Sequence, residues 1–503
     1  MKGFLNRLTR KGKEANKTVS LSRSLEQNLT LLKENIFQND QTIVYRRFRT
    51  RGPQVLNCAL IFVDQMIDKE ELSRNVIRPL MRLSVERRFF RPDLLKEIIE
   101  QVISISELEL QDNMSKILNG ILHGETLLLI DGLASGILIN ARKWTVRSIV
   151  EPASESVVRG PREGFTETLM TNLSMVRRKI SSEKLRFEFM KLGTQTKTDV
   201  AIGYIDGIAP PNILAEVKKR LNEIKVEAIL ESGYIEELIK DSPLTPFKTV
   251  GHTERPDVVA AKLLEGRIAI FCDGTPFVLT IPFLFLEAFQ ANEDYYKNYF
   301  LASLDRLIRY ISFIITTTTP AIYLSLVTYH QELIPTPLLL SLSASREGVP
   351  LPTVVEVIAM GFVFEILREG GVRLPNPIGS AVSIVGAIVL GDAAASAGLV
   401  SSPMIIVVAL TAIASFAVPK LLGLATLIRL YLVLFSAFLG LYGFFFGIIG
   451  LFIQLCSMRS FGVPYLSNFA TLQPHELQDT VIRAPWWVMS SRSRKTAGKK
   501  GLG

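Results

Sequence analysis

The sequence predicts two parts of different kinds: a water-soluble α/β region made of two duplicated α/β units, and after it an all-α polytopic membrane domain. Three observations lead there. Charged residues make up 21% of the chain while mean hydropathy is still +0.28, so the apolar residues must be concentrated rather than spread. Similar apolar runs recur at one fixed offset in the N-terminal three hundred residues. From about residue 306 onward, uncharged stretches reach the length of roughly 20 residues that crosses a bilayer. A chain of 503 residues has room for two or three such parts.

Residues 1–43 read as a flexible basic segment. Met1 to Lys17 carries Lys2, Arg7, Arg10, Lys11 and Lys13 without an apolar core, which excludes a secretory signal and leaves the soluble region in the cytoplasm. The net charge of +9 comes with no nucleic-acid-binding module, and basic flanks on the cytoplasmic face of a membrane protein produce the same total. No nucleic-acid partner is therefore expected. Cys58, Cys272 and Cys456 lie far apart, and the four histidines are scattered, so neither a disulfide framework, a metal site nor a cofactor is expected.

Residues 44–150 form the first expected unit and 151–305 the second. CALIFVDQMI (Cys58 to Ile67) resembles VAIGYIDGIA (Val200 to Ala209), and GETLLLIDGLASGILI (Gly124 to Ile139) resembles GRIAIFCDGTPFVLTI (Gly266 to Ile281). Both pairs share an offset of 142 positions, which points to duplication. Each unit opens with a buried strand followed by a helix, Lys69 to Leu83 in the first and about Asn212 to Val226 in the second. In the latter, Leu214, Val217, Leu221 and Ile224 share one face. Each unit closes with a hairpin, because Asp131-Gly132 and Asp273-Gly274 supply the positive-φ positions of a tight turn. The aspartates Asp64, Asp131, Asp206 and Asp273 are accounted for by turn chemistry, with a catalytic or metal cluster as the alternative.

Between the units, Arg159-Gly160-Pro161-Arg162-Glu163-Gly164-Phe165 combines turn formers with charge. It reads either as a solvated linker and helix cap or as a contact loop between subunits, with Arg159, Arg162 and Glu163 as the contact candidates. No phosphate-binding glycine loop, dinucleotide fingerprint, nucleophile elbow or zinc-protease helix occurs, so a sensing or assembly module is expected rather than an enzyme.

Residues 306–460 form the expected membrane domain, with spans at about 308–329, 377–400, 403–419 and 430–456. Arg306 and Arg309 precede the first span and place the soluble region on the cytoplasmic side. Thr316 to Thr319 before Pro320 suit a helix facing other helices. Gly440, Gly443, Gly447 and Gly450 would let the last span pack closely against a neighbour. The tail, 461–503, carries Arg492, Arg494, Lys495, Lys499 and Lys500, which makes it cytoplasmic and the number of crossings even. Four spans satisfy that parity if 352–368, which contains Glu356 and Glu365, is a half-buried helix. Glu356, Met360, Val363 and Leu367 share a face of that helix, and Glu365 can pair with Arg368. Asp392 is the other acid in an apolar setting, either functional or marking a kink at Gly391.

Three stretches carry a resemblance: EPASESVVRGPREGFTETLMTNLSM from Glu151, RPDVVAAKLLEGRIAIFCDGTPFVLTIP from Arg255, and the segment from Arg346 to Ser401 that includes PLPTVVEVIAMGFVFEILREGG. From about Val44 to Leu466 the chain resembles the A subunit of the GerA-type spore germination receptors of the inner membrane of bacterial endospores. The resemblance implies a receptor in which this subunit works with a transporter-like B subunit that binds the nutrient and a lipoprotein C subunit. It also implies oligomers that conduct monovalent cations when nutrient binds. The family commonly has an acid where this chain has Gly361 and a glutamine where it has Asp392, which bears on conductance if either position lines a pore.

The leading expectation is a nutrient-gated cation channel subunit with Glu356, Met360 and Val363 at the constriction, where one carboxylate per subunit forms a ring that favours cations. A non-conducting scaffold that relays the partner's conformational change is the second. A secondary transporter is the third, disfavoured because the membrane region lacks inverted repeats with paired broken helices.

Overall fold

The computed structural model describes residues 21–38, 40–51, 55–83, 98–105, 107–143, 155, 157, 159–372, 386, 389, 391–467 and 479–489. The first sheet contains β1 (Ile43–Arg49), β2 (Asn57–Val63), β3 (Leu108–Gln111), β4 (Thr126–Ile130) and β5 (Gly136–Ile139), in the order β1-β2-β4-β5-β3. The second contains β6 (Leu185–Leu192), β7 (Thr198–Ile205), β8 (Gly251–Thr253), β9 (Ile268–Cys272) and β10 (Val278–Ile281), in the order β6-β7-β9-β10-β8. All pairings are antiparallel and the two orders correspond strand for strand.

The central strands are apolar on both faces because helices cover both. In the first unit Ala59, Ile61 and Val63 of β2 pack against α1 (Leu25–Thr30, continuing through Leu31–Ile36) and α2 (Met114–Leu122). Cys58, Leu60 and Phe62 face the helical run Lys69–Arg82 instead. In the second unit α3 (Leu169–Lys179) and α5 (Pro256–Leu264) lie on one face, and α4 (Pro211–Glu223) on the other. The hairpins fall at Asp131-Gly132 and Asp273-Gly274, with both glycines at φ 87°.

Those aspartates do more than turn the chain. Asp131 accepts from the Leu25 amide that opens α1, and Asp273 accepts from the Leu169 amide that opens α3, both at 3.0 Å. In each case a carboxylate satisfies a free N-terminal amide and the positive end of the helix dipole. Asn28 likewise accepts from the Ser22 amide and donates to its carbonyl, and Asn172 does the same with Thr166, at matching distances of 2.8 and 2.6 Å.

The expected flexible segment 1–43 is corrected from residue 21 onward. Leu21, Leu25, Leu29, Leu32 and Phe37 are buried against the first sheet, because Leu25, Leu29 and Leu32 recur at helical spacing. A buried Arg177–Asp40 ion pair joins the two units, reinforced by Arg186, which donates to the carbonyls of Phe37 and Ile36.

A helical region follows: α6 (Tyr299–Thr328), α7 (Thr336–Arg346), α8 (Thr353–Val372), α9 (Ser402–Phe416) and α10 (Leu422–Ser457). Among the described residues, two segments, Tyr299–Thr328 and Pro419–Ser457, are long and apolar enough to cross a membrane. The second is not one straight rod. Gly440 has φ 59° and ψ −137°, and a Cβ on Gly443 would lie 2.0 Å from the Phe435 carbonyl oxygen. Residues eight apart in a continuous helix are about 12 Å apart along its axis, so 441–457 folds back along 422–439. The expected single span 430–456 is thus a helical hairpin. Its glycines do permit close packing, but against the hairpin's own first arm, where Gly447 faces Leu432 and Gly450 faces Tyr431. Half of the expected span 377–400 lies outside the described residues.

Candidate functional site

The helices have a sheet-proximal and a sheet-distal end. At the proximal end Phe289 stacks on Tyr310 of α6 at 4.3 Å, and Val418 and Leu421 pack on Ala288 and Phe289. The chain leaving α10 also returns here. Arg459–Ser460 and Val463–Pro464 form a small ladder whose Phe461 enters the core of the second sheet, under the Arg220 guanidinium at 4.3 Å. At the distal end the Gly440 turn sits against Tyr329 and His330, just past α6.

Buried charge concentrates where the sheets meet the helices. Arg306 and Asp294 are both fully buried and paired, Arg309 grips the same carboxylate at 2.7 Å, and Arg306 reaches Asp479 at 3.0 Å. One cluster therefore ties a turn of the second unit, the root of α6 and a residue of the tail segment. Nearby, Lys420 at the start of the hairpin pairs with Glu155 at 2.9 Å. Burial alone would raise the Glu155 carboxyl, but Lys420, the Thr253 hydroxyl and the Glu254 amide hold it below the usual range. A cavity of about 520 Å³ opens at this junction, lined in part by Lys248, Phe283, Lys420 and Tyr465.

Among the helices, Glu356 and Met360 point inward. Glu356 is fully buried, and its Oε1 accepts from the Ser401 amide at 2.5 Å and the Ser401 hydroxyl at 2.6 Å. Ser401 is the N-cap of α9, so the carboxylate of one helix caps the next. Its Oε2 has no partner, and no salt bridge to Glu356 forms among the described residues. Met360 packs in the core shared with Ala321, Leu324 and Met404, while Val363 is half-buried. Glu365 pairs with Arg368, as its spacing suggests, and also with Arg429 of α10. These contacts orient α8, whose Glu356 lies toward the distal end and whose Glu365 and Arg368 lie in the proximal half.

The other candidates stand apart. Asp392 is exposed, Arg159 and Arg162 are exposed, and Glu163 is held by Arg178 and Lys179 at the end of α3. Sequence reasoning missed the Arg306–Asp294–Asp479 cluster, whose members are up to 185 residues apart. It also missed Arg429, whose lone charge in an apolar run was the available signal.

This architecture, two antiparallel sheets before a bundle of apolar helices, accompanies a match to a family model. The Bacillus/Clostridium GerA spore germination protein model matches residues 31–495. The chain belongs to this GerA spore germination family. Spore germination protein KA of Bacillus subtilis is 43% identical over 95% of this chain and 88% of its own length. Spore germination protein A1 of the same organism is 36% identical over 92% and 94%. An uncharacterized membrane protein of B. subtilis, YfkQ, is 43% identical over 94% and 90%. Among solved structures, the N-terminal domain of the A subunit of the Bacillus megaterium spore germinant receptor GerK3 is 37% identical. It covers 54% of this GerA chain and 99% of its own, with a TM-score of 0.43.

Proposed function

We propose that this protein is the A subunit of a germinant receptor in the inner spore membrane, and that it assembles into a nutrient-gated monovalent cation channel. In this reading a transporter-like B subunit binds the nutrient, a lipoprotein C subunit completes the receptor, and Arg159, Arg162 and Glu163 contribute to contacts between subunits. The observation that carries the channel reading is the Glu356 carboxylate, buried among apolar helices beside Ser401 and with no basic partner among the described residues. Acids in such a setting are costly and mark ion pathways. In the present conformation Ser401 closes Glu356 off, so conduction requires α8 to part from α9 and bring Glu356, Met360 and Val363 to the oligomer axis.

The two sheet units descend, in this reading, from one duplicated unit. Their corresponding strand orders, the paired Asp131 and Asp273 caps and the common 142-residue offset support it. In this reading the helical region is polytopic, with α6, α8, α9 and the two arms of α10 as passes, and the chain must cross once more between the proximal end of α8 and the distal start of α9, giving six crossings rather than four. Even parity is kept, and the sheets and basic tail share the cytoplasmic side.

Single-channel current from the purified chain in planar bilayers tests the function. Cation-selective current that loses selectivity in Glu356→Gln is the expected result, and Val363→Ala should leak without nutrient. Absence of current from assembled receptor with nutrient present would favour the alternative, a non-conducting scaffold that relays the partner's signal.

A further inference from the structure

We infer that the cavity between α6, α8, α9 and α10 binds one anionic phospholipid from the sheet-proximal leaflet, with an acyl chain inside and the phosphate against Arg368 and Arg429. The inference rests on the membrane reading above. The cavity measures about 360 Å³, within the range of a small-molecule site. Its walls are apolar, chiefly Pro320, Val357, Phe364, Met404 and Val408. Gly361 leaves part of it open, since a Cβ there would meet nothing within 4 Å. Ile358, Phe362 and Leu430 form an exposed apolar rim, so the opening faces sideways, where acyl chains would lie.

One end is polar, and the ion pairs among the described residues there set two guanidiniums against one carboxylate. Glu365 takes Arg429 and Arg368 at 2.5 Å each and accepts from the Thr426 hydroxyl at 3.0 Å, so one carboxylate answers two guanidiniums. Arg429 is 9% exposed and lines the cavity itself. A guanidinium presents a planar fork that suits phosphate oxygens, and a single phosphodiester would neutralise the surplus. A zwitterionic lipid brings its own cation and would not. The orientation also fits. Thr426 and Arg429 lie in the first two turns of α10 at the proximal end, while Val357 and Met404 lie near the distal starts of α8 and α9. Basic pockets between helices on the cytoplasmic side bind anionic head groups by this combination.

The test uses the full chain, first floated with liposomes and then extracted from mixed phosphatidylglycerol and phosphatidylcholine for native mass spectrometry. The expected result is one retained phosphatidylglycerol per chain, preferred about fivefold, the size of one basic residue's contribution at a membrane surface. Arg368→Gln should bring that preference to parity without reducing phosphatidylcholine retention. Gly361→Leu, which fills the cavity, should reduce retention of both lipids; if it unfolds, Val408→Phe fills the same space from α9. Equal retention of the two lipids by the native chain, or retention indifferent to these substitutions, overturns the site. A chain that does not float overturns the membrane reading together with it.

Discussion

The two regions differ in how their most deeply buried acids are held. In the sheet region, the buried acids of the ion clusters are held by basic side chains: Asp40 by the buried Arg177, and Glu287 by the buried Arg267 at 2.5 Å and the half-buried Lys262 at 2.8 Å. In the helical region Glu356 meets a hydroxyl and an amide at the start of α9, and no base among the described residues. A paired buried charge fixes one arrangement, because parting the pair strands both ions. A buried carboxylate held by dipoles alone can be released at much lower cost. The difference separates a rigid platform from an element able to change state.

The comparison is most exposed at Glu287. Glu287→Gln leaves Lys262 and Arg267 without their shared acid and should cost about 3–5 kcal/mol, read from denaturant unfolding of the solubilised chain. Burial alone would raise the Glu287 carboxyl, but Arg267 and Lys262 hold it below the usual range. Its contribution is therefore present above the ordinary carboxylate value of 4.5 and disappears as pH falls through the lower folded value. The variant's melting temperature should show a shallower fall over that acidic window than the native chain's.

Next in size is Gly440→Ala. The backbone there adopts a conformation open mainly to glycine, and a Cβ would lie 2.8 Å from that of Tyr329, so a loss of about 1–3 kcal/mol is expected by thermal melting. Glu356→Gln should lower stability by less than about 1.5 kcal/mol, because the amide oxygen can still accept from Ser401. A loss as large as that of Glu287→Gln would erase the contrast between the regions. Smallest is Lys420→Met, which breaks a pair whose lysine is 44% exposed; about 0.5–1 kcal/mol is expected, shrinking with added salt.

Much of the sheet region was legible because its signals are local or repeated. The 142-residue offset revealed two similar units, and Asp-Gly between apolar runs located both hairpins. The cap that Asp131 makes on α1 was not legible, since the partners are 106 residues apart and nothing near either announces the other. The leucines of α1 were overshadowed by the basic residues before them. In the helical region the apolar runs were plain, but a glycine stripe is compatible both with packing against a neighbour and with folding back on itself. The geometry at Gly440 decides between the two. Of the candidate residues, Glu356 was recognisable by its isolation in an apolar run, whereas its partner Ser401 is an ordinary residue 45 positions away.

The α10 hairpin is fastened at both roots to the second unit, by Leu421 against Phe289 at its start and by Phe461 in the sheet core after its end. A displacement of that unit therefore pushes on both arms together, as a hand moves a pair of tongs by its two handles. The arms transmit that displacement to their common tip, where Gly440 rests against Tyr329 and His330 at the far end of α6.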